Sequence, residues 1–206
     1  DRAQRRVAEL RRRFDRVYGE TLCLQEEEGI RAGVDSILDR HGRLDILFNN
    51  AVLNDMTPLA SLVLEDWERV LAINITAAML LSRAVSIPMR RQGKGVIVNV
   101  SSQYGLVAPD PKLYAGRASG SSLVYGTSKA ALLQMTRHLA VEWAPIIRVN
   151  SLTAGGLYTG QDTGFVARYS ERTPLRRMAG PEDMKGAAVF LASDATSYVT
   201  GQVFHV

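Results

Sequence analysis

An α/β fold, three layers deep around a doubly wound parallel sheet, follows from two features of this 206-residue chain. Short, largely apolar strand candidates alternate with segments of helical period, as in a sheet covered on both faces. The loops after those strands are rich in Asn, Ser, Thr and Gly. A parallel sheet gathers such loops at its carboxyl edge, where ligands bind.

The elements follow in order. Val7, Leu10, Phe14 and Val17 form an apolar stripe among seven arginines in residues 2–16, which reads as a solvated helix. Residues 20–25 form a short strand candidate. Residues 27–41 read as a helix, with Ile30, Val34, Ile37 and Leu38 on one stripe and Gly42 in the position of a C-terminal glycine. Residues 44–48 are an apolar run of strand length. Residues 59–91 are helical, with a break near Asp66 and Pro88 close to the end. A β-branched strand at 95–100 precedes a loop of Gly, Ser and Pro at 101–124. The helix 125–143 carries Leu132, Leu133, Met135 and Leu139 at helical spacing. A strand at 146–151, a Gly/Thr loop, short helices at 164–169 and 181–193 and a last strand at 202–206 complete the pattern. Neither repeats nor low-complexity linkers divide it, so one domain is expected.

Composition narrows the function. The chain is 46% hydrophobic, enough for one sizeable core. Its single cysteine, Cys23, excludes an internal disulfide and fits a reducing, cytoplasmic compartment. There is no run of 18 apolar residues, so no membrane partner is expected. The net charge of +4 is mostly arginine without interleaved aromatics, and nucleic acid is not the expected partner either. No metal site is expected.

Tyr125 and Lys129 stand four apart, on one helix face. An ammonium beside a phenol favours the phenolate, so the Tyr125 pKa is expected to fall. Three loops converge on the edge where this helix begins: Asn49-Asn50-Ala51-Val52, Ser101-Ser102, and Thr153-Ala154-Gly155-Gly156-Leu157-Tyr158-Thr159. Serine, tyrosine and lysine together suit proton transfer to a substrate oxygen.

With these motifs the chain resembles a short-chain dehydrogenase/reductase, of Rossmann-like fold, over nearly its whole length. Asn49-Asn50-Ala51 matches the family's Asn-Asn-Ala-Gly, with Val52 in place of the glycine. Asn74 in Ala72-Ile73-Asn74-Ile75-Thr76 stands where the family keeps an asparagine. Val96-Ile97-Val98-Asn99-Val100-Ser101-Ser102 aligns Ser102 with the catalytic serine, and Tyr125 and Lys129 match Tyr-x-x-x-Lys. The resemblance implies an oxidoreductase that moves hydride between NAD or NADP and a small-molecule carbonyl or secondary alcohol. Asn74, Ser102, Tyr125 and Lys129 would be catalytic, Asn74 holding a water that links Lys129 to solvent. Asn50, Ala51, Tyr125, Lys129, Gly155, Leu157 and Thr159 would meet the cofactor. The stretch Tyr104–Asp110 between Ser102 and Tyr125 is similar to a subgroup acting on sugars or sugar acids. A homodimer or homotetramer, paired through helices 59–91 and 125–143, is implied. The alternative is a catalytically silent member with a structural or interaction role.

The departures are equally specific. No Thr-Gly-x-x-x-Gly-x-Gly turn occurs, Leu24-Gln25 runs into Glu26-Glu27-Glu28 where the family has Asp-Val, and Ala154 replaces a proline. The family's first strand, first helix and second strand have no counterpart, and the last strand stops before the usual Asp-Gly-Gly. Residues 44–48 would then be a bare edge. Either a longer natural chain covers that edge, which is the favoured reading, or residues 20–25 slide across to pair with it. Backbone N–H groups of a glycine turn normally hold the cofactor pyrophosphate. These 206 residues are therefore expected to bind NADH or NADPH orders of magnitude more weakly than a chain carrying the turn. Calorimetry checks this, and micromolar affinity would contradict it.

Overall fold

The computed structural model describes residues 2–114 and 123–206, with backbone alone for residues 2–4. Four parallel strands form one sheet in the order β1 (Ile46–Asn49), β2 (Gly95–Ser102), β3 (Ile147–Ala154) and β4 (Val203–His205). In register, Ile46 faces Val96, and Gly95 faces Ile147.

On one face lie α2 (Glu27–His41), α4 (Ala77–Gln92) and α5 (Leu123–Trp143). Ile97, Ile147 and Val149 from the strands pack there with Val34, Val85, Met89, Leu139 and Trp143, each no more than 9% exposed. On the other face α7 (Pro181–Ala192) covers Val96, Val98 and Leu152 through Leu191, Ala187 and Ala188. The expected doubly wound, three-layer arrangement is thus present. Its second face is uneven: Ile46 and Phe48, on the same side of the sheet as Val96 and Val98, are 45% and 39% exposed.

Capping explains several boundaries. Gly42 closes α2 at φ 71°, and Gly93 closes α4 at φ 76°. Asp162 accepts from the Phe165 N–H at the start of α6 (Thr163–Arg172). Pro181 opens α7 in the first turn, where its missing N–H costs nothing. The helix expected at 59–91 is divided. A 3₁₀ turn at Leu59–Ser61 precedes α3 (Leu64–Leu71), and a π-helical turn at Ala72–Thr76 joins α3 to α4. Residues 64–92 are long and apolar enough to cross a membrane. Here they form part of the layer against the sheet, with Val70, Val85 and Met89 buried.

Three expectations are corrected. Residues 20–25 form no strand, and they do not slide across to β1, which pairs with β2 alone among the described residues. The segment packs along α2 instead. Leu22 fills the notch at Gly33, where a Cβ would stand 1.9 Å from its Cδ2, and Arg40 pairs with Glu20 at 3.0 Å. The arginine-rich helix α1 (Arg2–Arg11) ends before Phe14, which is 55% exposed. The loop expected at 101–124 contains regular elements: β2 continues through Ser102, and 3₁₀ turns follow at Gln103–Gly105 and Pro111–Tyr114. Positions 115–122 lie outside the described residues.

The open β1 edge, with Ile46 and Phe48 exposed beside unpaired backbone, is a template for further strands. Ile46→Lys is expected to reduce light scattering of concentrated samples at unchanged melting temperature. Unchanged scattering would show that the edge is not sticky.

Candidate active site

The end of β2 and the start of α5 are joined backbone to side chain. Ser101 Oγ donates to the Lys129 carbonyl at 2.9 Å, and Lys129 Nζ donates to the Val100 carbonyl at 2.7 Å. Between them the Gln103–Gly105 turn lies against α5. A Cβ on Gly105 would stand 2.8 Å from the Lys129 backbone, so only glycine allows this approach. Alternation along β2 then separates the two serines. Ser101 faces the helix backbone, while the hydroxyls of Ser102 and Tyr125 share a hydrogen bond. Ser102 Oγ also accepts from the Tyr104 N–H at 3.2 Å.

These groups open onto a cavity of about 750 Å³ at the carboxyl edge of the sheet. Asn50, Ser102, Tyr125, Lys129, Gly155, Leu157 and Thr159 all line it. The loop carrying the last three is held on both sides: the Gly155 N–H donates to the Val206 carbonyl at 2.8 Å, and the Tyr158 N–H donates to the Ala179 carbonyl at 2.8 Å. Ala51 and Asn74 are not in the lining. Asn74 is 2% exposed, in the π-helical turn, and its side chain serves the loop after β1. Its Oδ1 accepts from the Leu53 N–H at 2.8 Å, and its Nδ2 donates to the Leu53 carbonyl and to Ser128 Oγ, both at 2.9 Å. A bound water was expected of this residue; both its side-chain N–H groups are already engaged by the protein.

The electrostatics differ from the sequence expectation. Burial raises the Tyr125 pKa, the Ser102 hydrogen bond opposes it, and the nearby Tyr104 phenol adds to the rise. Lys129 does not bring it down. Its ammonium is directed to the Val100 carbonyl and stands 5.8 Å from the Tyr125 ring centroid, and burial lowers its own pKa to about 8. It therefore loses its charge before the phenol ionises.

One wall of the cavity escaped sequence reasoning. Tyr104, Tyr114, Phe165 and Tyr169 stand together there. The one available signal was Phe165 and Tyr169, four apart on one helix face.

A family model described as Enoyl-(Acyl carrier protein) reductase matches residues 1–206. A cyclopentanol dehydrogenase from a Comamonas species is 38% identical over 202 residues, covering 95% of this chain and 77% of that protein. The chain belongs to the short-chain dehydrogenase/reductase family. A short-chain dehydrogenase from Leptospira borgpetersenii with bound NAD+ superposes with a TM-score of 0.83 at 32% identity, covering 89% of this chain and 71% of that one. A gluconate 5-dehydrogenase from Burkholderia cenocepacia in complex with NADP and tartrate gives 0.84 at 28% identity, covering 100% and 81%. As a short-chain dehydrogenase/reductase it is an NAD(P)-dependent enzyme interconverting carbonyls and alcohols. Its donor set fits the nicotinamide half of such a cofactor: a lysine ammonium, an amide at Asn50 and a hydroxyl at Thr159 border one cavity.

The buried lysine has a measurable consequence. Its folded pKa of about 8 lies below its ordinary 10.5. Between those values the unfolded chain binds more protons, so this group's contribution to stability rises with pH across that window, and its full cost is present below pH 8. Lys129→Met is expected to stabilise the fold at pH 7 by about 2 kcal/mol and to lose that advantage toward pH 10.5. Urea unfolding at pH 7 and pH 10 checks this. A variant less stable at both would contradict it.

Proposed function

We propose that Tyr125 is the general acid/base of this enzyme and that Ser102 holds the reacting oxygen beside it. The hydrogen bond between their hydroxyls, both in the cavity lining, carries this reading. A nicotinamide dinucleotide, when bound, gives or takes the hydride at the substrate carbon. In carbonyl reduction the Tyr125 phenol donates its proton to the oxygen as the carbon receives the hydride. In alcohol oxidation that proton returns to Tyr125. The raised phenol pKa keeps Tyr125 protonated and suited to reduction through neutral pH. Lys129, which lines the cavity and is directed to the Val100 carbonyl, would hold the ribose of the nicotinamide. Asn50, Gly155, Leu157 and Thr159 would border the nicotinamide side; Ala51, also expected to meet the cofactor, is exposed and outside the cavity lining. Asn74 is a positioning residue: it fixes Leu53 and, through Ser128, the turn of α5 that carries Lys129.

Assembly as a homodimer or homotetramer belongs to the same proposal. Of the apolar residues around the 125–143 helix, Leu132 and Leu139 are buried within the chain. The outward apolar groups are Leu64, Ile87 and Val141, at 65%, 50% and 82% exposure. They favour a second copy as cover, and a monomer at micromolar concentration in sedimentation would count against it. The lone, exposed Cys23 is read as belonging to a reducing, cytoplasmic setting.

Tyr125→Phe removes the proton donor and keeps the ring. In any active form it is expected to lower kcat by on the order of 100- to 10,000-fold with little change in cofactor affinity. Near-normal turnover would make the tyrosine structural only.

A further inference from the structure

The mechanism proposed above gives the aromatic wall of the cavity no role beyond the upward pull of the Tyr104 phenol on the Tyr125 pKa. Tyr104 and Tyr114 share a hydrogen bond between their phenol oxygens, and both line the cavity with Tyr125. The wall is rigid. Tyr114 packs on Phe165 at 5.3 Å between centroids, and Phe165 on Tyr169 at 6.1 Å. Tyr169 Oη accepts from the Gly156 N–H at 2.6 Å, and Arg168 Nε donates to the Leu113 carbonyl at 2.8 Å, which ties α6 to the Pro111–Tyr114 turn. Tyr104 follows Ser102 by two residues, and its N–H is held by that serine's hydroxyl. Its phenol is therefore fixed relative to Ser102 and Tyr125.

A pair of phenols has two hydroxyl hydrogens and uses one in its mutual bond. No described residue accepts the second. A part-buried donor without a partner is costly, and an incoming oxygen relieves that cost. Burial and the partner hydroxyl hold the Tyr114 phenol well above its ordinary pKa, so the pair stays a donor at working pH. Among the described lining residues the charged groups are Lys129, already directed to the Val100 carbonyl, and Asp162. Among the described lining residues there is no arginine for a substrate carboxylate.

We propose that Tyr104 and Tyr114 form a second oxygen-binding subsite that selects neutral substrates with a hydroxyl on the carbon next to the reacting one. The class is the vicinal diol, with the α-hydroxy ketone as its oxidised partner, found in polyols and neutral sugars. This rests on Ser102 and Tyr125 holding the reacting oxygen. Neutral substrates are favoured over the sugar acids raised by the sequence because, among the described lining residues, the one cation, Lys129, is directed to the Val100 carbonyl.

Competition by saturation-transfer NMR tests it, with cyclopentanol, the two 1,2-cyclopentanediols and 2-hydroxycyclopentanecarboxylate as probes. The wild-type chain is expected to favour one diol over cyclopentanol by on the order of 10- to 100-fold. In the Tyr104→Phe/Tyr114→Phe double variant, which keeps both rings, that ratio is expected to fall to near one. Each single variant, with a melting curve to confirm folding, is expected to fall between. No diol preference in the wild type, an unchanged preference in the double variant, or tighter binding of the hydroxy acid would overturn the subsite. Oxidation of the same alcohols with NAD+ and NADP+ separates the two readings. Selective diol binding without turnover, at cofactor concentrations that calorimetry shows to be saturating, leaves the subsite standing and removes the hydride-transfer role. Equal turnover of diol and monoalcohol, without binding preference, does the reverse.

Discussion

The seam between the end of β2 and the first turns of α5 is the constraint on which the rest of the site depends. Two hydrogen bonds cross it, Ser101 Oγ to the Lys129 carbonyl and Lys129 Nζ to the Val100 carbonyl. The Gly105 turn fits against the same backbone because it lacks a Cβ. With strand end, turn and helix locked together, Ser102, Tyr104 and Tyr125 have fixed relative positions before any ligand arrives. Preorganisation of this kind lets hydroxyl groups act without first reordering. Below the seam a polar chain continues through the core. Asn49 Nδ2 donates to Asn99 Oδ1 at 2.8 Å, and Asn99 Nδ2 donates to Thr136 Oγ1 at 2.8 Å, joining β1, β2 and α5. Such a buried network gives the three elements one register, because any slip leaves amides unpaired.

Much of this was legible in the residues. The apolar strands at Val96–Val98 and Ile147–Val149 could belong only to a sheet covered on both faces. Tyr125 and Lys129, four apart on one helix, had to share a side. Ser102 was separable from Ser101 by its aligned position, with strand alternation putting the two on opposite sides. What escaped was tertiary. Residues 20–25 have a strand's composition, yet a strand exists only where a neighbouring edge accepts its hydrogen bonds; here Leu22 found the Gly33 notch on α2 instead. The π-helical turn at Asn74 carries no composition signal, since one extra residue per turn is set by packing. The aromatic wall unites the turns after β2 with α6, segments far apart in the chain.

The acid/base pair shows why local spacing underdetermines electrostatics. Sequence places a cation and a phenol on one face, which by Coulomb's law favours the phenolate. Folding adds burial, which disfavours both charged forms, and aims the ammonium at a carbonyl. In this structure burial wins at both groups. On the proposed mechanism the tyrosine therefore begins as an acid, with its proton available for a substrate carbonyl.

Titration of Tyr125 tests this most directly. With the ring labelled at ¹³Cζ and assigned through Tyr125→Phe, its chemical shift followed from pH 6 to pH 11 is expected to report a protonated phenol beyond its ordinary value of 10.0. A phenolate already forming near pH 8, while Lys129 remains charged, would contradict the account and restore the lysine as the group that sets the tyrosine's charge.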